Sequence, residues 1–542
     1  MKTKRDLIQA GLLASLFCLL PAVLPAQQVF QYDTGAGTLF YTTNNGAAAI
    51  QNYSGNDTTL AIPNTITGLP VTSIGSAAFY QNFTLTSVAI GTNVASLGDE
   101  AFFYCPALAG VSIPASVTNI GLAPFVDCKS LTVIAVATNN ARFVSTNQVL
   151  YNKTLTSLIQ FPGGVTGSYN IAVAVTNVGF AFVGATLSAI TVDAANADYA
   201  GTNGVLFDKS RTYLIAYPGG LVGGYTVPTN VTTIVSAAFE YGTGITNVSI
   251  GTNVTSIGQF AFYDCTNLLA ITVNPTNQYY SSLNGVLLDK HQTDFIQYPS
   301  GLAGSYIVPG TVTNIESGAF GDSAGLVSVM IPDSVRSLGA QTFYSCQSLV
   351  SISLGNGLTS IGQEAFNECT SLADIAIPNS VTNIGSYAFY YCPNLQSMTF
   401  GTGLKSIGLE AIGDCQSLSY VCFSGNQPVD GGSVFYFDTA LAQILYVSGT
   451  TGWGVSYDGI LTAPCPTCGS VVASPPLGII QTGTNVVVAW PVTATGFTLL
   501  STTNLAPPVA WVTDAPPPTI FSTYFVVTNH IIGAKMFYRL KQ

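Results

Sequence analysis

Cysteine is the residue type with the most chemical potential in this chain, which contains 11 of them. Six recur at 23-residue spacing in two groups, Cys105 and Cys128, then Cys346, Cys369, Cys392 and Cys415. Three explanations fit such a period: a disulfide ladder, a thiol-rich metal site, or a column of small buried side chains. A metal ion needs ligands that converge on one point, whereas stacked repeats spread them along an axis. The spacing therefore favours a buried column, a role that free cysteine fills well.

Acid–base catalysis has few candidate residues. The chain contains two histidines, His291 and His530, and neither lies in a recognisable catalytic motif. Several carboxylates fall near equivalent positions of the repeat: Asp99, Glu100, Glu240, Asp264, Glu364, Glu368 and Glu410. Paired carboxylates could hydrolyse a polymer, but the scatter of these residues fits a solvated face better. We therefore predict that the protein is not an enzyme and has no catalytic residues, no cofactor and no metal site.

The charge pattern argues against some classes of partner. The formal net charge is −11, and only 7% of residues are charged. An acidic chain without a basic stripe is a poor candidate for binding nucleic acid. The same scarcity of charge predicts that binding to any partner depends little on salt.

The N-terminus has the features of an export signal. Residues 2–5 carry three positive charges, an apolar run extends from Leu7 to Leu20, and Ala26 ends a small-residue cleavage point. A membrane anchor is the alternative, but the 14 residues of this run fall short of the ~20 that span a bilayer. We expect removal of residues 1–26 and an exported protein, extracellular or on the cell surface, with no later transmembrane segment.

A 23-residue repeat organises most of the chain. Residues 335–357 read VRSLGAQTFYSCQSLVSISLGNG, and residues 358–380 read LTSIGQEAFNECTSLADIAIPNS. Eleven units begin at residues 71, 94, 117, 175, 231, 254, 312, 335, 358, 381 and 404. We assign the repeat domain to residues 71–426.

Three intervals between units exceed 23 residues and hold the same extra segment. These segments read NQVLYNKTLTSLIQFPGG from Asn147, NGVLFDKSRTYLIAYPGG from Asn203 and NGVLLDKHQTDFIQYPSG from Asn284. Because alternating apolar residues flank a short polar turn, each segment predicts a β-hairpin. The Pro-containing steps that follow return the chain to the repeat.

Each unit contains a strand with one apolar face. Leu349, Ile352 and Leu354 face the core, and Ser351 and Ser353 point the opposite way because strand side chains alternate. One unit cannot bury its own apolar face, so neighbouring units must stack. The pattern predicts a mainly β solenoid with a parallel sheet and hairpin inserts.

The repeat resembles that of the BspA-type leucine-rich repeat proteins of bacterial surfaces and secretions. The resemblance spans about residues 50–463 and rests on the motif V-T-S-I-G-x-x-A-F-x-x-C-x-x-L-x-x-I-x-I-P and on the Y-P-G-G exit of the inserts. It implies a right-handed leucine-rich-repeat solenoid with a parallel sheet, and adhesion or binding to proteins and surfaces. It implies no catalytic residues.

Segments without the repeat lie at both ends. Residues 27–70 predict an N-terminal β cap, since the exposed end of a solenoid needs cover. Residues 427–463 predict a C-terminal cap, in which we expect Trp453 to pack over the last unit. A Pro-rich linker at 464–476 leads to residues 477–542, whose short alternating strands predict a small β-sandwich.

Cys422, Cys465 and Cys468 do not belong to the cysteine column. Cys422 occupies an outward strand position, and Cys465 and Cys468 form a C-x-x-C beyond the cap. No thioredoxin-like helix pattern surrounds that motif, and zinc would need a fourth ligand. In an exported protein a disulfide that holds the cap to the last unit is the better explanation. We predict that Cys422 bonds either Cys465 or Cys468, with a stabilisation of about 3–4 kcal/mol.

Two surfaces of the solenoid are candidate binding sites. The outward strand face is rich in hydroxyl groups and comprises Ser328, Met330, Ser351, Ser353, Asp374, Ser397, Thr399 and Tyr420. A strip of exposed aromatic rings after the core phenylalanines comprises Tyr80, Phe103, Tyr263, Tyr344 and Tyr390. The alternative for the first surface is that small side chains merely allow the coils to stack.

These features together predict a secreted or cell-surface binding and adhesion protein. It would use a repetitive solenoid face to bind an extracellular protein or a glycan, and no nucleic acid. The alternative hypothesis is a structural spacer that presents a C-terminal binding or attachment module.

Overall fold

A computed structural model describes residues 28–468, 478–482, 485–491, 498–502, 512–513, 518–521, 524–530 and 537–541. The predicted signal peptide at 1–26 lies outside these residues. Two compact units divide the chain. Unit 1 comprises Met1–Asn267 and Thr276–Tyr279, and unit 2 comprises Leu268–Pro275 and Tyr280–Gln542.

The secondary structure of the described residues is β-strand, with turns between the strands. The strands of unit 1 are β1 Phe30–Asp33, β2 Gly37–Asn44, β3 Ala47–Gly55, β4 Thr59–Ala61, β5 Thr65–Ile66, β6 Leu69–Ile74, β7 Ser87–Ala89, β8 Ser96–Leu97, β9 Gly110–Ile113, β10 Asn119–Ile120, β11 Val133–Val136, β12 Phe143–Thr146, β13 Val149–Asn152, β14 Leu158–Gln160, β15 Ser168–Ile171, β16 Ala189–Val192, β17 Tyr199–Thr202, β18 Val205–Asp208, β19 Tyr213–Ala216, β20 Gly223–Thr226, β21 Thr233–Ile234, β22 Ile245–Ile250 and β23 Ser256–Ile257.

Unit 2 continues with the same kinds of short strand. They are β24 Ala270–Val273, β25 Tyr280–Leu283, β26 Val286–Asp289, β27 Asp294–Gln297, β28 Gly304–Ile307, β29 Asn314–Ile315, β30 Leu326–Met330, β31 Ser337–Leu338, β32 Ser351–Ser353, β33 Ser360–Ile361, β34 Asp374–Ile377, β35 Asn383–Ile384, β36 Ser397–Phe400, β37 Ser406–Ile407, β38 Tyr420–Phe423, β39 Val429–Asp430, β40 Gln443–Val447, β41 Ser456–Tyr457, β42 Ile460–Cys465, β43 Gly478–Thr482, β44 Asn485–Pro491, β45 Thr498–Thr502, β46 Val512–Thr513, β47 Thr519–Phe521, β48 Tyr524–His530 and β49 Phe537–Lys541. Among the described residues no helix is long and apolar enough to cross a membrane.

Each 23-residue coil contributes one short strand to each of two parallel sheets. In the coil at 358–380 these are β33 and β34. Strand β33 pairs in parallel with β31 and β35, and β34 pairs in parallel with β36, each one coil away. The predicted alternation holds in β32, where Ile352 is buried and its two serine neighbours are partly exposed. The prediction of a mainly β solenoid of stacked coils is confirmed.

A third set of backbone hydrogen bonds joins the outer turns, where the coil runs between its two strands. The N–H groups of Gln341, Phe343 and Ser345 donate to carbonyl groups of the next coil at 2.8, 2.7 and 2.8 Å. One coil later, Glu364 and Glu368 donate in the same way, both at 3.0 Å. The outer turns are therefore a hydrogen-bonded layer, although their residues are not in regular strands.

Two residues per outer turn adopt left-handed backbone conformations without being glycine. Gln341 and Ser345 have φ of 56° and 55°, and Glu364 and Glu368 have φ of 54° and 62°. Such conformations cost about 1–2 kcal/mol each. The alternation of right-handed and left-handed residues aims the N–H groups of the turn at one neighbouring coil and the carbonyl groups at the other. The hydrogen bonds to both neighbours offset the local cost.

Stacked phenylalanine rings fill the centre of the coils. In unit 2, Phe320, Phe343, Phe366 and Phe389 follow one another with ring centroids 4.7, 5.2 and 5.0 Å apart. In unit 1, Phe79 and Phe102 lie 4.7 Å apart. All six of these phenylalanine side chains are fully buried. The Phe of the repeat motif thus places an aromatic ring at the same depth in each coil.

Gly362 shows why the repeat has a glycine after its first strand. A Cβ atom at this position would lie 2.5 Å from the carbonyl oxygen of Gly339 in the preceding coil. No side chain fits between the backbones at that distance. The glycine is therefore required by the close approach of two coils.

The cysteine column consists of buried free thiols. The Sγ of Cys369 donates to the carbonyl oxygen of Phe343 in the preceding coil at 3.2 Å. Cys105, Cys128, Cys265, Cys346, Cys392 and Cys415 make the same contact 26 residues back, at 3.0 to 3.2 Å. The thiol thus satisfies a buried carbonyl group as well as filling space, a role that the spacing alone did not indicate.

The inserts are larger than the single hairpins that the sequence predicts. Strands β17, β18 and β19 form a three-stranded antiparallel sheet, as do β25, β26 and β27. The third strand of each then pairs in parallel with the first short strand of the following coil. The insert therefore occupies a place in the stack, and its last strand restores the register of the repeat.

A buried asparagine precedes each insert and was not singled out from the sequence. The side-chain Nδ2 of Asn196 donates to the carbonyl oxygens of Ala172 and Val175, both at 2.9 Å, and its Oδ1 accepts from the N–H groups of Asp198 and Tyr199, both at 2.9 Å. Asn140 and Asn277 repeat the donor pair. One side chain thus fixes the start of the insert to the preceding coil.

The segments at the two ends of the repeat are also strands. Antiparallel strands β1, β2 and β3 lead to β6, which pairs with β3 in parallel. After the last repeat, the ring of Trp453 stacks on Tyr446 at 5.1 Å and lies 5.0 Å from Phe423, and its Nε1 donates to the carbonyl oxygen of Gly425 at 3.2 Å. Trp453 therefore packs on the last coil, as the sequence predicts.

Strands β43 to β49 form two antiparallel sheets. One contains β43, β44, β48 and β47, and the other contains β46, β45 and β49. Their packing as a sandwich remains a prediction.

We predict that Asn196→Ala lowers the free energy of unfolding by about 3 kcal/mol or more, because it leaves two carbonyl and two N–H groups without their partner. Urea unfolding followed by circular dichroism measures the change. Asn247→Ala, at an exposed position of the same unit, is the matched control and should stay within about 0.5 kcal/mol of the parent. Equal effects of the two substitutions would contradict the assigned role.

We predict that Cys369→Ala lowers the free energy of unfolding by about 1–3 kcal/mol, since it removes a buried sulfur atom and the donor to Phe343. The control is Gln347→Ala, at an exposed position of a neighbouring coil. Thermal melting of both variants under reducing conditions tests the prediction. A Cys369→Ala protein as stable as the control would show that the thiol is dispensable.

Candidate binding surface

The outward face of the strands is less accessible than the sequence predicts. Ser351, Ser353, Asp374, Thr399 and Tyr420 are partly exposed. Their strands lie in register, so that Ser328 is next to Ser351, and Asp374 is next to Ser397. The predicted row of side chains therefore exists, but Ser328 and Ser397 in it are buried.

The expectation that Met330 is exposed is wrong. Its side chain is 0% exposed and packs against Ile307 and Val526. Val526 belongs to β48 of the C-terminal strands, so these strands cover this part of the sheet. Nearby, the Ser328 Oγ donates to the Ser305 Oγ at 2.7 Å. Met330 and Ser328 are thus internal contacts of unit 2.

The predicted aromatic strip is also largely internal. Tyr263 and Tyr344 are buried, and Tyr80, Phe103 and Tyr390 are partly exposed. Tyr80 and Phe103 stack with ring centroids 5.5 Å apart, and the Tyr344 hydroxyl donates to Glu368 Oε1 at 3.2 Å. The residue after the core phenylalanine therefore packs against the outer turn.

Exposed rings occur one residue later, at the second left-handed position of the outer turn. Tyr391 is 45% exposed and Phe437 is 63% exposed, with φ of 55° and 58°. Tyr436, beside Phe437, is 39% exposed, and the two ring centroids are 4.3 Å apart. The outward direction of these side chains follows from the left-handed backbone, which the sequence did not reveal.

Carboxylates alternate with the exposed rings along the outer turns of unit 2. Residues 368, 391, 414 and 437 are equivalent and read Glu, Tyr, Asp and Phe. The N–H of Glu368 donates to the carbonyl oxygen of Tyr390 at 3.0 Å, and that of Asp414 to the carbonyl oxygen of Tyr436 at 2.6 Å. We call this the acidic–aromatic surface: it comprises Glu368, Tyr390, Tyr391, Asp414, Tyr436 and Phe437.

The titratable groups of this surface influence one another. Burial raises the pKa of Tyr390 to about 12, and the nearby Glu410 and Asp414 add to the increase. Burial also raises the pKa of Glu410. Residues 358–437 contain six acidic side chains and one basic side chain, Lys405. The coils that carry this surface therefore have a clear excess of carboxylates over cations.

Some carboxylates that the sequence assigned to a solvated face are buried. Glu100, Asp264 and Glu364 are each less than a tenth exposed. Burial raises the pKa of Asp264 to about 7, and the charge of Asp127 contributes to the shift. Glu364 accepts from Gln341 Nε2 at 2.8 Å and from Gln363 Nε2 at 3.0 Å. These three carboxylates lie on the buried side of the outer turns, which is why they do not form the solvated face that the sequence predicts.

The three cysteines near the cap lie together. A disulfide joins Cys422 to Cys468, one of the two pairings that the sequence left open, and Cys465 is a free thiol. The three Sγ atoms lie within 4.8 Å of one another. Among the described residues, they form the cluster whose side chains could act as metal ligands. Because the disulfide uses two of them, a single thiolate remains to bind an ion.

Comparisons with known proteins agree with the coil pattern. The model of the family described as BspA type leucine rich repeat region matches six copies, at residues 50–191, 224–285 and 303–442, which together are more than half of the chain. Among curated proteins, none matches.

Solved structures of other repeat proteins are similar to this chain. A leucine-rich cell surface protein from Faecalibacterium prausnitzii is 27% identical over 73% of this chain and 96% of its own, with a TM-score of 0.37. The pneumococcal vaccine antigen PcpA is 16% identical over 78% and 94%, with a TM-score of 0.35. A leucine-rich repeat protein from Eubacterium ventriosum is 20% identical over 77% and 87%, with a TM-score of 0.29.

Asp438, next to Phe437, is a buried carboxyl group of the outer turns. Its Oδ1 accepts from the N–H of Cys415 at 2.7 Å. Burial raises the pKa of Asp438 to about 8; that hydrogen bond opposes the shift, and the charges of Asp414 and Asp458 add to it. In the unfolded chain the pKa of an aspartate is about 3.9. Between about pH 4 and about pH 8, the folded protein therefore keeps a proton on Asp438 that the unfolded chain has lost.

The contribution of Asp438 to the free energy of unfolding should be complete below about pH 4 and lost as the pH rises through about 8. We predict that the parent loses at least about 1 kcal/mol more than Asp438→Asn between about pH 5 and about pH 9, since asparagine accepts the same hydrogen bond without ionising. Urea titrations at both pH values measure the difference. Asp193→Asn, an exposed aspartate of unit 1, should show no such effect, and parallel pH profiles for all three proteins would contradict the prediction.

Proposed function

The chain belongs to the BspA-type leucine-rich repeat family, and on that premise we propose that it is an exported protein that works by binding at a cell surface. We assign the binding to the acidic–aromatic surface of unit 2. The partner we propose is an extracellular protein that presents arginine or lysine side chains. Adhesion through this contact, without catalysis, is the resulting activity.

The observation that carries this proposal is the alternation of exposed rings and carboxylates on equivalent positions of the outer turns. Tyr391 and Phe437 are two coils apart, which corresponds to about 10 Å at the usual spacing of parallel strands. Large exposed apolar side chains grouped on one face are typical of interaction sites. Tyrosine is also enriched among the few residues that dominate the binding energy of protein interfaces. The backbone beneath them is already held between coils, as by the hydrogen bond from the N–H of Tyr391 to the carbonyl oxygen of Gly413 at 2.8 Å, so binding does not have to order it.

The charge of the surface favours a basic partner over a neutral one. Glu368 and Asp414 are separated along the stack by Tyr391, so a cation between them would meet a carboxylate on each side and an aromatic face. Arginine and lysine bind such arrangements through cation–π contacts and ion pairs. The low total charge of the chain predicted weak salt dependence. The grouping of carboxylates on one face instead leads us to propose that binding weakens as salt increases.

Two other hypotheses have less support. Glycan or protein binding by the strand face would use residues of which Ser328, Met330 and Ser397 are buried. A spacer would hold its C-terminal strands apart from the repeats, whereas Val526 packs on Met330. We therefore place recognition on the outer turns.

The test is an array of extracellular matrix proteins and glycans, probed with residues 27–542. For a bound protein, we predict that Tyr391→Ala with Phe437→Ala weakens the affinity at least about tenfold, which is ~1.4 kcal/mol. Glu368→Gln with Asp414→Asn should weaken binding and reduce its dependence on salt. Surface plasmon resonance at two salt concentrations measures both effects.

The matched control is Ser351→Ala with Thr399→Ala, which alters the strand face and leaves the outer turns unchanged. Its affinity should equal that of the parent. Because Tyr391 and Phe437 are exposed, their truncation should leave the melting temperature unchanged, so that lost binding is not lost folding. Binding abolished by the control pair and retained by the aromatic pair would overturn the assignment, and so would binding of neutral glycans alone.

A further inference from the structure

The sulfur atoms near the cap combine a disulfide with an adjacent free thiol. The Sγ of Cys465 lies 3.6 Å from the Sγ of Cys422, which is bonded to Cys468. Cys422 is buried, whereas Cys465 and Cys468 are partly exposed. The other free cysteines among the described residues are buried in the coils. Among the described residues, Cys465 is therefore the free thiol that lies close both to a disulfide and to solvent.

We propose that Cys422, Cys465 and Cys468 form a thiol–disulfide exchange site through which an external disulfide becomes attached to the protein. In the first step Cys465 loses its proton, and its thiolate attacks Cys422 Sγ. The bond between Cys422 and Cys465 forms while the bond between Cys422 and Cys468 breaks. Cys468 leaves as a thiolate and takes up the proton. One disulfide replaces another, so this step needs no oxidant.

In the second step Cys468 loses this proton again, and its thiolate attacks the disulfide of an external molecule. A mixed disulfide forms on Cys468, and the other half of the external disulfide leaves as a thiolate and takes up the proton. The external disulfide is the oxidant, and it is reduced as the mixed disulfide forms. Cys468 is the accessible sulfur in this scheme because Cys422 remains buried behind it.

The position of Cys465 permits the first step. It is the last residue of β42, where the N–H and Oγ of Ser448 donate to its carbonyl oxygen at 2.9 and 3.1 Å. Bond formation brings the two sulfur atoms from 3.6 Å to about 2 Å. A strand end can absorb this movement by releasing the two bonds to Ser448, and the affected part of the pairing of β42 with β40 is its last pair, Cys465 with Val447.

The protonation of Cys465 sets the rate of the exchange. Burial raises the pKa of the Cys465 thiol. Because the thiolate is the nucleophile, the exchange should be slow at neutral pH and should accelerate as the pH rises.

The test uses residues 27–542 and oxidised glutathione as the external disulfide, at about pH 6 and about pH 8.5, on either side of neutral. Fragmentation mass spectrometry locates the adduct. We expect one glutathione per molecule, on Cys468, together with a bond between Cys422 and Cys465, and faster formation at the higher pH. An adduct confined to Cys465, with the original disulfide intact at both pH values, would overturn the proposal.

Two single variants test whether Cys465 exchanges with the disulfide or only lies beside it. Cys468→Ser should form a disulfide between Cys422 and Cys465 and take up no glutathione. Cys465→Ser should retain the bond between Cys422 and Cys468 and also take up none. Two free thiols in Cys468→Ser, or an adduct in Cys465→Ser, would contradict the mechanism.

Thermal melting controls for folding. Each single variant should melt within a few degrees of the parent, because either partner can close the cap disulfide. The double variant Cys465→Ser with Cys468→Ser should melt at a lower temperature because it has no partner for Cys422. If Cys468→Ser melted at the same temperature as the double variant, Cys465 would be shown not to reach Cys422.

Discussion

Hydrogen bonding between equivalent residues of successive coils is the constraint on which the other features depend. It operates in both parallel sheets and also in the outer turns, where Phe343 donates to Ala365 at 2.7 Å and Phe366 to Ala388 at 2.7 Å. Between coils without an insert the paired residues lie 23 apart, as Ser337 and Ser360 do, whereas after an insert the offset is 20, as between Tyr213 and Thr233. The stacked rings of Phe343 and Phe366, 5.2 Å apart, then fall at the same depth.

The same constraint decides where surface side chains can point. In the outer turns, left-handed residues such as Glu368 and Tyr391 are needed so that the N–H groups of a turn face the next coil. Their side chains consequently form columns that run from coil to coil on the outside of unit 2. The sheet surface offers less freedom because Met330 is already covered by Val526. The acidic–aromatic surface is thus a product of backbone geometry, with its chemistry set by the residue types at two positions per coil.

Periodicity in the sequence was sufficient to predict the coils but not their outer surface. The inward position of Ile352 and the burial of the column that contains Cys369 follow from spacing and apolar pattern, and both agree with the structure. Left-handed glutamates cannot be inferred from conformational preference, since glycine is the usual residue there. Contacts between segments about 200 residues apart, such as Val526 on Met330, leave no periodic signal either. The sequence therefore pointed to the ring of Tyr390, which is partly exposed, and did not single out the more exposed ring of Tyr391.

The outer-turn hydrogen bonds also give the stack a direction. In the 23-residue coils, alternate N–H groups of this layer donate to the next coil. The last coil therefore presents donors, and the carboxylate of Asp458 accepts from one of them, the N–H of Phe435, at 2.7 Å. The first coil presents acceptors, and the N–H of Tyr53 donates to the carbonyl oxygen of Ala78 at 2.9 Å. The two ends are chemically distinct, whereas interior coils without an insert bond to their neighbours in the same way. Gene duplication can therefore lengthen or shorten such a protein in whole coils from within, while both terminal segments keep the partners that they already have.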